Sequence, residues 1–201
     1  MPSFSVYDNM EIVFATHNQH KTAEARDIVG AKWNLKNLQD IGQTEEIPET
    51  ADTLKGNALQ KAQYVFDKYH TNCFADDTGL EIEALDGRPG VYSARFAGEH
   101  CTYADNVNKV LSEMRGMTNR RACFKTVVAL LLDGRTYYFE GQIDGHITEE
   151  PHGEGGFGYD PVFMPDGYDR TFAELSADEK NKISHRGIAM AKLVEFLNAH
   201  V

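Results

Sequence analysis

Short hydrophobic runs alternate with amphipathic segments along the first part of the chain. Residues 11–16 are apolar and rich in β-branched and aromatic side chains, a pattern that predicts a buried strand. Residues 21–29 have helical spacing, and residues 33–38 predict a second strand. A strand, a helix and a strand in this order are typical of an α/β protein.

A second helix and strand follow the same alternation. Asp52 or Thr53 is the predicted cap of a long amphipathic helix that ends near residue 70. Residues 73–75 predict another short buried strand, which runs directly into Asp76.

The second half of the chain contains a long hairpin and several capped helices. Its predicted elements are a helix over 102–114, strands over 121–132 and 135–147 joined by Asp133-Gly134, a strand over 159–164, a helix that begins at Ser176, and a helix over 185–198. We predict an α/β fold with a central mixed β-sheet flanked by helices, elongated into two lobes with a cleft between them. A chain of 201 residues fits one such domain, over 1–201.

Composition and charge narrow the class of protein. Hydrophobic residues make up 41% of the chain and charged residues 25%, which is typical of a soluble globular protein. The formal net charge of -11 argues against binding to nucleic acid or to an anionic membrane, because both depend on basic surface. A few local cations could still hold a small phosphorylated ligand.

The cysteines and the first residues bear on the cellular location. Cys73, Cys101 and Cys123 are odd in number and widely spaced, which argues against a disulfide scaffold or a zinc ribbon. Residues 1–11 lack the basic and apolar stretches of a signal peptide, and no apolar run approaches the roughly 20 residues that span a bilayer. We expect a cytoplasmic protein.

Four segments could carry chemistry, and the first is the turn between the first strand and the first helix. Its residues are Thr16, His17, Asn18, Gln19, His20 and Lys21. A helix that begins after a strand presents backbone N–H groups and its dipole to an anion, and Lys21 adds a full charge. The turn therefore suits a polyphosphate. Alternatively, Asn18 only caps the helix and Lys21 is solvated.

The second segment is Asp76-Asp77-Thr78-Gly79, at the predicted end of a buried strand. Adjacent strand residues point to opposite sides, so one carboxylate can enter a cleft while the other braces the loop. A carboxylate beside phosphates is a natural Mg²⁺ ligand, and it can also orient or deprotonate a water. The alternative is an Asx turn with a glycine exit.

The third segment is the glycine-rich stretch over 153–158 and the residues that follow it. Glycines allow a backbone to approach a ligand closely. Phe157 and Tyr159 could stack on a flat ring, and Asp160 could accept hydrogen bonds from ring N–H groups. The alternative is a tight turn into a strand.

The fourth segment gathers donors in an otherwise acidic chain. Its donors are Lys180, Ser184, His185 and Arg186. Together with Lys21 and Lys61 they could form a positive cleft for carbonyl or phosphate oxygens. The alternative is a solvated helix end, where cations are favoured.

In this order the segments resemble the inosine triphosphatase (RdgB-type) family of purine nucleoside triphosphate pyrophosphatases. The matching segments extend over nearly the whole chain and are 14–21, 74–80, 89–95, 156–161, 171–175 and 179–186. The resemblance implies hydrolysis of ITP, dITP and XTP to the monophosphate and pyrophosphate, with Mg²⁺ as the cofactor. It also implies an elongated two-lobed α/β fold and a homodimer.

The resemblance further implies a role for each matching residue. The implied phosphate contacts are the loop over 16–21, above all Asn18 and Lys21, and the helix lysine Lys61; the implied metal ligands are Glu49 and Asp77. Asp77 is also the implied catalytic carboxylate, and Thr78 beside it is a substrate contact. The implied base-recognition residues are Phe157, Gly158, Tyr159, Asp160, Lys180, His185 and Arg186. The chain departs from the family pattern at His17, where a glycine is usual, at Thr78, where a serine is common, and at Pro48, where many members have a second glutamate.

The mechanism that follows is an in-line attack by water on the α-phosphorus, with pyrophosphate leaving. A donor-rich wall of Lys180, His185 and Arg186 would suit a 6-oxo purine and leave donors unpaired against adenine. Two other functions stay open. One is a Maf-like pyrophosphatase for other modified nucleotides, and the other is a nucleotide-binding regulatory protein without turnover.

Overall fold

A computed structural model describes residues 10–200 of the chain. The strands are β1 (Met10–Phe14), β2 (Trp33–Asn37), β3 (Cys73–Ile82), β4 (Pro89–Gly90), β5 (Arg121–Leu132), β6 (Arg135–Ile147) and β7 (Phe163–Pro165). The α-helices are α1 (Gln19–Val29), α2 (Leu54–Tyr69), α3 (Tyr103–Glu113), α4 (Ala177–Ile183) and α5 (His185–Ala199). Residues 1–9 and 201, which belong to the predicted domain over 1–201, lie outside this range. The prediction that residues 1–11 contain no signal peptide therefore falls mostly outside the described residues.

The strands form one mixed sheet in the order β2-β1-β3-β5-β6-β7, with β4 paired to an edge of β3. β1 runs parallel to β2 and β3, whereas β3, β5, β6 and β7 pair antiparallel in turn. The predicted α/β fold with a central mixed sheet is therefore confirmed. Within residues 10–200, no helix combines the length and apolar character needed to cross a bilayer.

Helix starts and strand alternation follow the sequence pattern. Thr53, Thr102 and Ser176 each accept a hydrogen bond from a backbone N–H in the first turn of α2, α3 and α4. Ile12 of β1 packs in the core beneath α1 and α5, and the next residue, Val13, packs in the core beneath α2. Both faces of the sheet are therefore buried at β1. A third hydrophobic cluster packs on the other half of the sheet, around Leu80 of β3 and Phe124 of β5.

β3 is longer than the sequence predicts. Asp76, Asp77 and Gly79 pair with β5 inside the strand, so the predicted strand end at residue 75 and the alternative Asx turn are both wrong. Gly79 permits the strand to continue beside β4, because a Cβ at this position would lie 2.8 Å from the carbonyl oxygen of Gly90.

The predicted strand over 159–164 is also wrong in its first part. Asp160–Val162 form a 3₁₀ turn, and only β7 after it is a strand. Pro161 has no N–H to donate to a sheet, and the carboxylate of Asp160 accepts from the backbone N–H of Phe157 at 2.8 Å. Both effects favour a turn at this point.

One edge of β3 has a gap that creates a cleft. β1 pairs with β3 at Cys73 and Phe74, and β4 pairs with it at Leu80 and Glu81. Among the described strands, none pairs with residues 75–79 on that edge. The cleft lies at this gap, and side chains from both faces of the sheet reach it.

Candidate active site

The cleft has a volume of about 640 Å³, within the range of small-molecule sites. Every site residue predicted from the sequence lines it: Thr16, His17, Asn18, Gln19, His20, Lys21, Glu49, Lys61, Asp77, Thr78, Phe157, Gly158, Tyr159, Asp160, Lys180, His185 and Arg186. The four sequence segments therefore form one site, although they are far apart in the chain.

The turn after β1 opens α1 into the cleft. Asn18 caps the helix, since its Oδ1 accepts from the backbone N–H groups of His20 at 2.9 Å and Lys21 at 3.2 Å. Its Nδ2 donates to the hydroxyl of Tyr103 at the start of α3, at 3.3 Å. Asn18 is therefore a helix cap that also presents its amide to the cleft.

His17 ties this turn to the segment before α2. Its Nε2 lies 2.8 Å from the carbonyl oxygen of Gln43, and its Nδ1 lies 3.6 Å from a carboxylate oxygen of Glu46. Glu49 belongs to the same segment. A glycine at position 17 would lack this link, so the departure from the family pattern has a structural consequence.

Lys21 is paired rather than solvated. Its Nζ lies 2.9 Å from Oδ1 of Asp76, and Nε of Arg186 lies 2.9 Å from Oδ2 of the same carboxylate. Burial alone would raise the pKa of Asp76, but the nearby cations outweigh it and hold that pKa well below its usual range. Burial, together with Lys61 and Arg186, lowers the pKa of Lys21 against the attraction of Asp76. Asp76 is thus the buried counter-ion of two cleft cations.

Asp77 points to the opposite side of β3, toward α2 and the cleft. Its Oδ2 accepts from Nδ2 of Asn57 at 3.1 Å, and its Oδ1 accepts from the backbone N–H of Thr78 at 3.0 Å. Burial raises the pKa of Asp77, although Lys61 opposes the shift. A carboxylate with a raised pKa is the better proton acceptor.

Lys61 of α2 forms an ion pair with Glu49 in the cleft. Burial lowers the pKa of Lys61, but the carboxylates of Glu49, Asp77 and Asp76 outweigh burial and raise it. The ammonium group therefore stays charged at neutral pH, as contact with a phosphate requires.

Glu49 and Asp77 fit the role of ligands to a divalent cation. Both carboxylates line the cleft and both act on the charge of Lys61. Among residues 10–200, no cluster of three or more His, Cys, Asp and Glu side chains could bind a metal unaided. Mg²⁺ usually takes one or two carboxylates and completes its shell with waters and substrate phosphates. This donor set therefore fits Mg²⁺ held weakly by two carboxylates and waters, with a polyphosphate completing its shell.

Glu24 of α1 joins two cations from distant parts of the chain. Its carboxylate accepts from Nζ of Lys180 and from Nη1 of Arg186, both at 2.7 Å. Burial opposes its ionisation, but Arg186 and Lys180 outweigh burial and lower the pKa of Glu24. The motifs do not single out Glu24. Its spacing of three residues from Lys21 places both on one face of α1, and this is the signal that could have found it.

Lys180 fixes the glycine-rich loop through Asp160. Its Nζ lies 2.7 Å from Oδ2 of Asp160, the oxygen that also accepts from the N–H of Phe157. Burial raises the pKa of Asp160, and Lys180 opposes the shift. Gly156 has a φ of 69°, and a Cβ there would collide with the carboxylate of Asp160. A glycine is therefore required at this position.

The two aromatic residues of the loop have different roles. Phe157 is half-buried in the cleft, where it stacks with His20 at a centroid distance of 5.2 Å and lies 6.1 Å from the ring of Tyr103. Tyr159 packs in the hydrophobic cluster around Leu80 and Phe124, and its hydroxyl donates to the carbonyl of Ser93 at 2.7 Å. Phe157 is therefore a partly exposed ring of the cleft with His20, Lys180 and Arg186 beside it, whereas Tyr159 anchors the loop.

The donors of the predicted base wall are partly engaged within the protein. Lys180 uses two of the three N–H groups of an ammonium on carboxylates, and Arg186 uses three of the five of a guanidinium on two carboxylates and the hydroxyl of Thr78. Within the described structure, one N–H of Lys180 and two of Arg186 remain for a ligand. Both side chains are buried, so the alternative of a solvated helix end is wrong.

His185 lines the cleft with a neutral, buried ring. Its Nδ1 is buried and has no hydrogen bond to any described residue. Its ring stacks on Phe124 at a centroid distance of 4.5 Å. Burial, assisted by Arg186 and Lys180, lowers the pKa of His185 well below the ordinary value, so the ring is neutral. His185 therefore contributes a neutral ring to the cleft wall.

The fold and the site together define an α/β protein whose cleft gathers cations and carboxylates beside an aromatic ring. Comparison with known proteins then gives the family. The model of the Ham1 family matches residues 12–196. The chain is 52% identical to the dITP/XTP pyrophosphatase of Porphyromonas gingivalis, covering 93% of this chain and 97% of that protein. It is 50% identical to the dITP/XTP pyrophosphatase of Flavobacterium johnsoniae, covering 94% and 99%. The chain belongs to the Ham1 family, and the resemblance found in the sequence is confirmed.

Solved structures agree with this assignment. The Staphylococcus aureus Ham1 protein superposes with a TM-score of 0.85 at 36% identity, covering 95% of this chain and 100% of that one. A HAM1 protein from Coxiella burnetii superposes with a TM-score of 0.86 at 36% identity, covering 94% and 99%. The predicted fold is thus also the fold of its relatives.

Proposed function

We propose that the protein hydrolyses the non-standard purine nucleoside triphosphates ITP, dITP and XTP to the monophosphate and pyrophosphate. The observation that carries the proposal is the meeting of Lys21 and Lys61 with Asp77 and Glu49 in one cleft, beside the ring of Phe157. Relatives that are about half identical over nearly the whole chain, and that are named dITP/XTP pyrophosphatases, support it. Such an activity would remove non-standard nucleotides from the nucleotide pool.

The phosphates would be bound by the cations of the cleft. Lys21 and Lys61 would neutralise the leaving pyrophosphate, and the amide of Asn18 would donate to a phosphate oxygen. Glu49 and Asp77 would hold Mg²⁺, which when bound supplies charge neutralisation at the phosphate oxygens. Positioning and charge neutralisation are the main catalytic terms in phosphoryl transfer.

Asp77 would act on the attacking water. The water oxygen bonds to the α-phosphorus, the bond from that phosphorus to the bridging oxygen breaks, and the proton of the water passes to the Asp77 carboxylate. The hydrogen bonds from Asn57 and Thr78 fix the carboxylate for this transfer.

Recognition of the base would depend on Phe157 and the free donors behind it. The remaining N–H groups of Lys180 and Arg186 suit the 6-oxo group of hypoxanthine or xanthine. Adenine presents an amino group at that position, so these donors would stay unpaired at a cost of about 1–3 kcal/mol each. Guanine shares the 6-oxo group, and its rejection must depend on its 2-amino group.

A substrate panel tests the proposed function. With Mg²⁺ present, we expect kcat/KM for ITP and XTP to exceed that for ATP by about 10²-fold, because two unpaired donors at roughly 1.4 kcal/mol each give this ratio. We also expect GTP to be cleaved more slowly than ITP and XTP, through its 2-amino group. Pyrophosphate and orthophosphate are measured separately, and only pyrophosphate is expected. We also expect EDTA to abolish turnover.

The panel separates the other functions as well. Equal rates on all four purines, or release of orthophosphate, would contradict the proposal. Turnover confined to modified pyrimidine nucleotides would support the Maf-like alternative. Tight binding of ITP without turnover would support a regulatory protein.

His185→Phe tests whether a ring nitrogen of His185 forms a hydrogen bond with the base. The substituted ring can keep its stacking on Phe124 but has no nitrogen, so the hydrogen bond to the base is lost. We expect KM for ITP to rise about tenfold with kcat nearly unchanged, as for a contact equally strong in the ground and transition states. The control is His100→Phe, on the exposed surface. An unchanged KM in folded His185→Phe would argue against the contact.

The homodimer and the cytoplasmic location stay predictions. Sedimentation velocity at micromolar concentration measures the first directly, and a purely monomeric chain would contradict it.

A further inference from the structure

Asn57 of α2 is fully buried, and its side chain is bonded to two separate parts of the site. Its Nδ2 donates to Oδ2 of Asp77 at 3.1 Å, and its Oδ1 accepts from the backbone N–H of Ala51 at 2.9 Å. Asn57 is absent from the residues that line the cleft, so it lies behind the site rather than in it. A single amide thus connects β3 with the segment before α2.

That segment carries Glu49 and is held in register along one face of α2. Three contacts follow one another along the helix: Asn57 with Ala51, Gln60 with Thr50, and Lys61 with Glu49. Helix positions three and four residues apart share a face, which explains the register. Gly56 allows the close approach, since a Cβ there would lie 2.6 Å from the Cβ of Ala51. The position of Glu49 is therefore set by its segment's attachment to α2.

The amide of Asn57 satisfies both partners in one orientation only. Ala51 offers an N–H donor, and Asp77 offers a carboxylate acceptor. A flipped amide would place donor against donor and oxygen against oxygen. The bond to Asp77 and the bond to Ala51 therefore form or break together.

We propose that Asn57 is a positioning residue that fixes the separation between the carboxylates of Asp77 and Glu49. This inference rests on the proposed function, in which the two carboxylates share a divalent cation. Asn57 holds Asp77 directly and holds Glu49 through the backbone of its segment. Residues that orient metal ligands typically change metal affinity or activity by 10–100-fold when they are replaced.

Asn57→Asp separates the two bonds. An aspartate keeps the oxygen that accepts from Ala51, but it presents a second carboxylate oxygen to Asp77 in place of the N–H donor. We expect the Mg²⁺ concentration for half-maximal activity on ITP to rise by roughly 10–100-fold, with KM for ITP at saturating Mg²⁺ changing less than about threefold. We also expect the Kd for Mn²⁺ without nucleotide, measured by electron paramagnetic resonance, to rise in parallel.

Two further variants keep the test decisive. Asn57→Ser is measured beside Asn57→Asp, because a buried carboxylate can prevent folding and a serine hydroxyl is too short to reach both partners. Gln63→Ala is the matched control, since it removes an exposed bond to Asp67 on the same helix and touches neither Asp77 nor the segment of Glu49. We expect it to change the Mg²⁺ and Mn²⁺ constants less than about threefold.

The outcomes distinguish this inference from the proposed function. If folded Asn57 variants melt at a lower temperature but keep the wild-type Mg²⁺ and Mn²⁺ constants, Asn57 is only structural and the inference is wrong. If Gln63→Ala shifts those constants as much as the Asn57 variants do, the effect is not specific to Asn57 and the inference is wrong. If the wild-type chain fails to hydrolyse ITP, the proposed function fails, and the Mn²⁺ measurement still reports on the carboxylate pair.

Discussion

Asp77→Asn is expected to lower kcat for ITP by about 10³-fold and to leave the free energy of unfolding nearly unchanged. An asparagine side chain has no charge to offer a divalent cation and cannot accept the proton of the attacking water. A positioned base alone contributes roughly 10²–10⁴-fold. The fold should persist, because the new side chain keeps an oxygen for the hydrogen bond from Asn57 and removes a charge that burial disfavours. These effects offset the loss of the bond from the Thr78 N–H, which is worth about 1 kcal/mol.

Steady-state kinetics with pyrophosphate detection at saturating Mg²⁺, together with urea unfolding, measure both parts of this prediction. Asp52→Asn is the control, because it neutralises an exposed carboxylate near the start of α2. Near-native turnover by folded Asp77→Asn would show that Asp77 is not the catalytic carboxylate. A large loss of stability would show that its charge supports the fold.

Asp76→Asn, unlike Asp77→Asn, should act mainly on stability. We expect it to lower the free energy of unfolding by about 3–5 kcal/mol at pH 7. Asp76 is 1% exposed and is the shared counter-ion of Lys21 and Arg186. Removing one member of a buried ion pair leaves the other charges uncompensated, which costs about this much. The activity of the folded fraction should also fall, because two cleft cations lose the group that orients them.

The pH dependence of the unfolding free energy tests whether the charge of Asp76 is the source of this stabilisation. The pKa of Asp76 is lowered in the folded protein, so its stabilisation is complete above the unfolded-state value of about 3.9 and is lost as the pH falls through the folded value. The difference in unfolding free energy between wild type and Asp76→Asn should persist from pH 7 to about pH 4 and shrink below it. A difference under 1 kcal/mol at pH 7, measured by urea unfolding, would contradict the assignment of Asp76 as a buried counter-ion.

Two adjacent carboxylates thus have different roles for a simple geometric reason. Residues 76 and 77 are neighbours in β3, so their side chains leave the strand on opposite sides. One side faces α1 and α5, where cations need a counter-ion, and the other faces α2 and the cleft. The sequence pair alone indicates two directions, but it does not say which carboxylate enters the cleft.

Elements with strong local signals could be predicted closely. The β5–β6 hairpin has the predicted limits, because a long apolar run is followed by an Asp133-Gly134 turn signal. The caps at Thr53, Thr102 and Ser176 depend on contacts within one helical turn, which the local sequence specifies. The end of β3 was missed, because Asp76 to Gly79 have low strand propensity and are held by pairing with β5, a distant part of the chain.

The sequence by itself determined the alternation of strands and helices, the capped helix starts and the motifs that identify the Ham1 family. These features depend on residues close together in the chain, where period and turn chemistry act directly. Tertiary structure alone decided that no described strand pairs with one edge of β3 at 75–79, that Glu24 joins Lys180 to Arg186, and that Asn57 joins Asp77 to Ala51. The physical reason is that a buried charge or amide is stable only beside its partner, and these partners meet only when the sheet and helices pack.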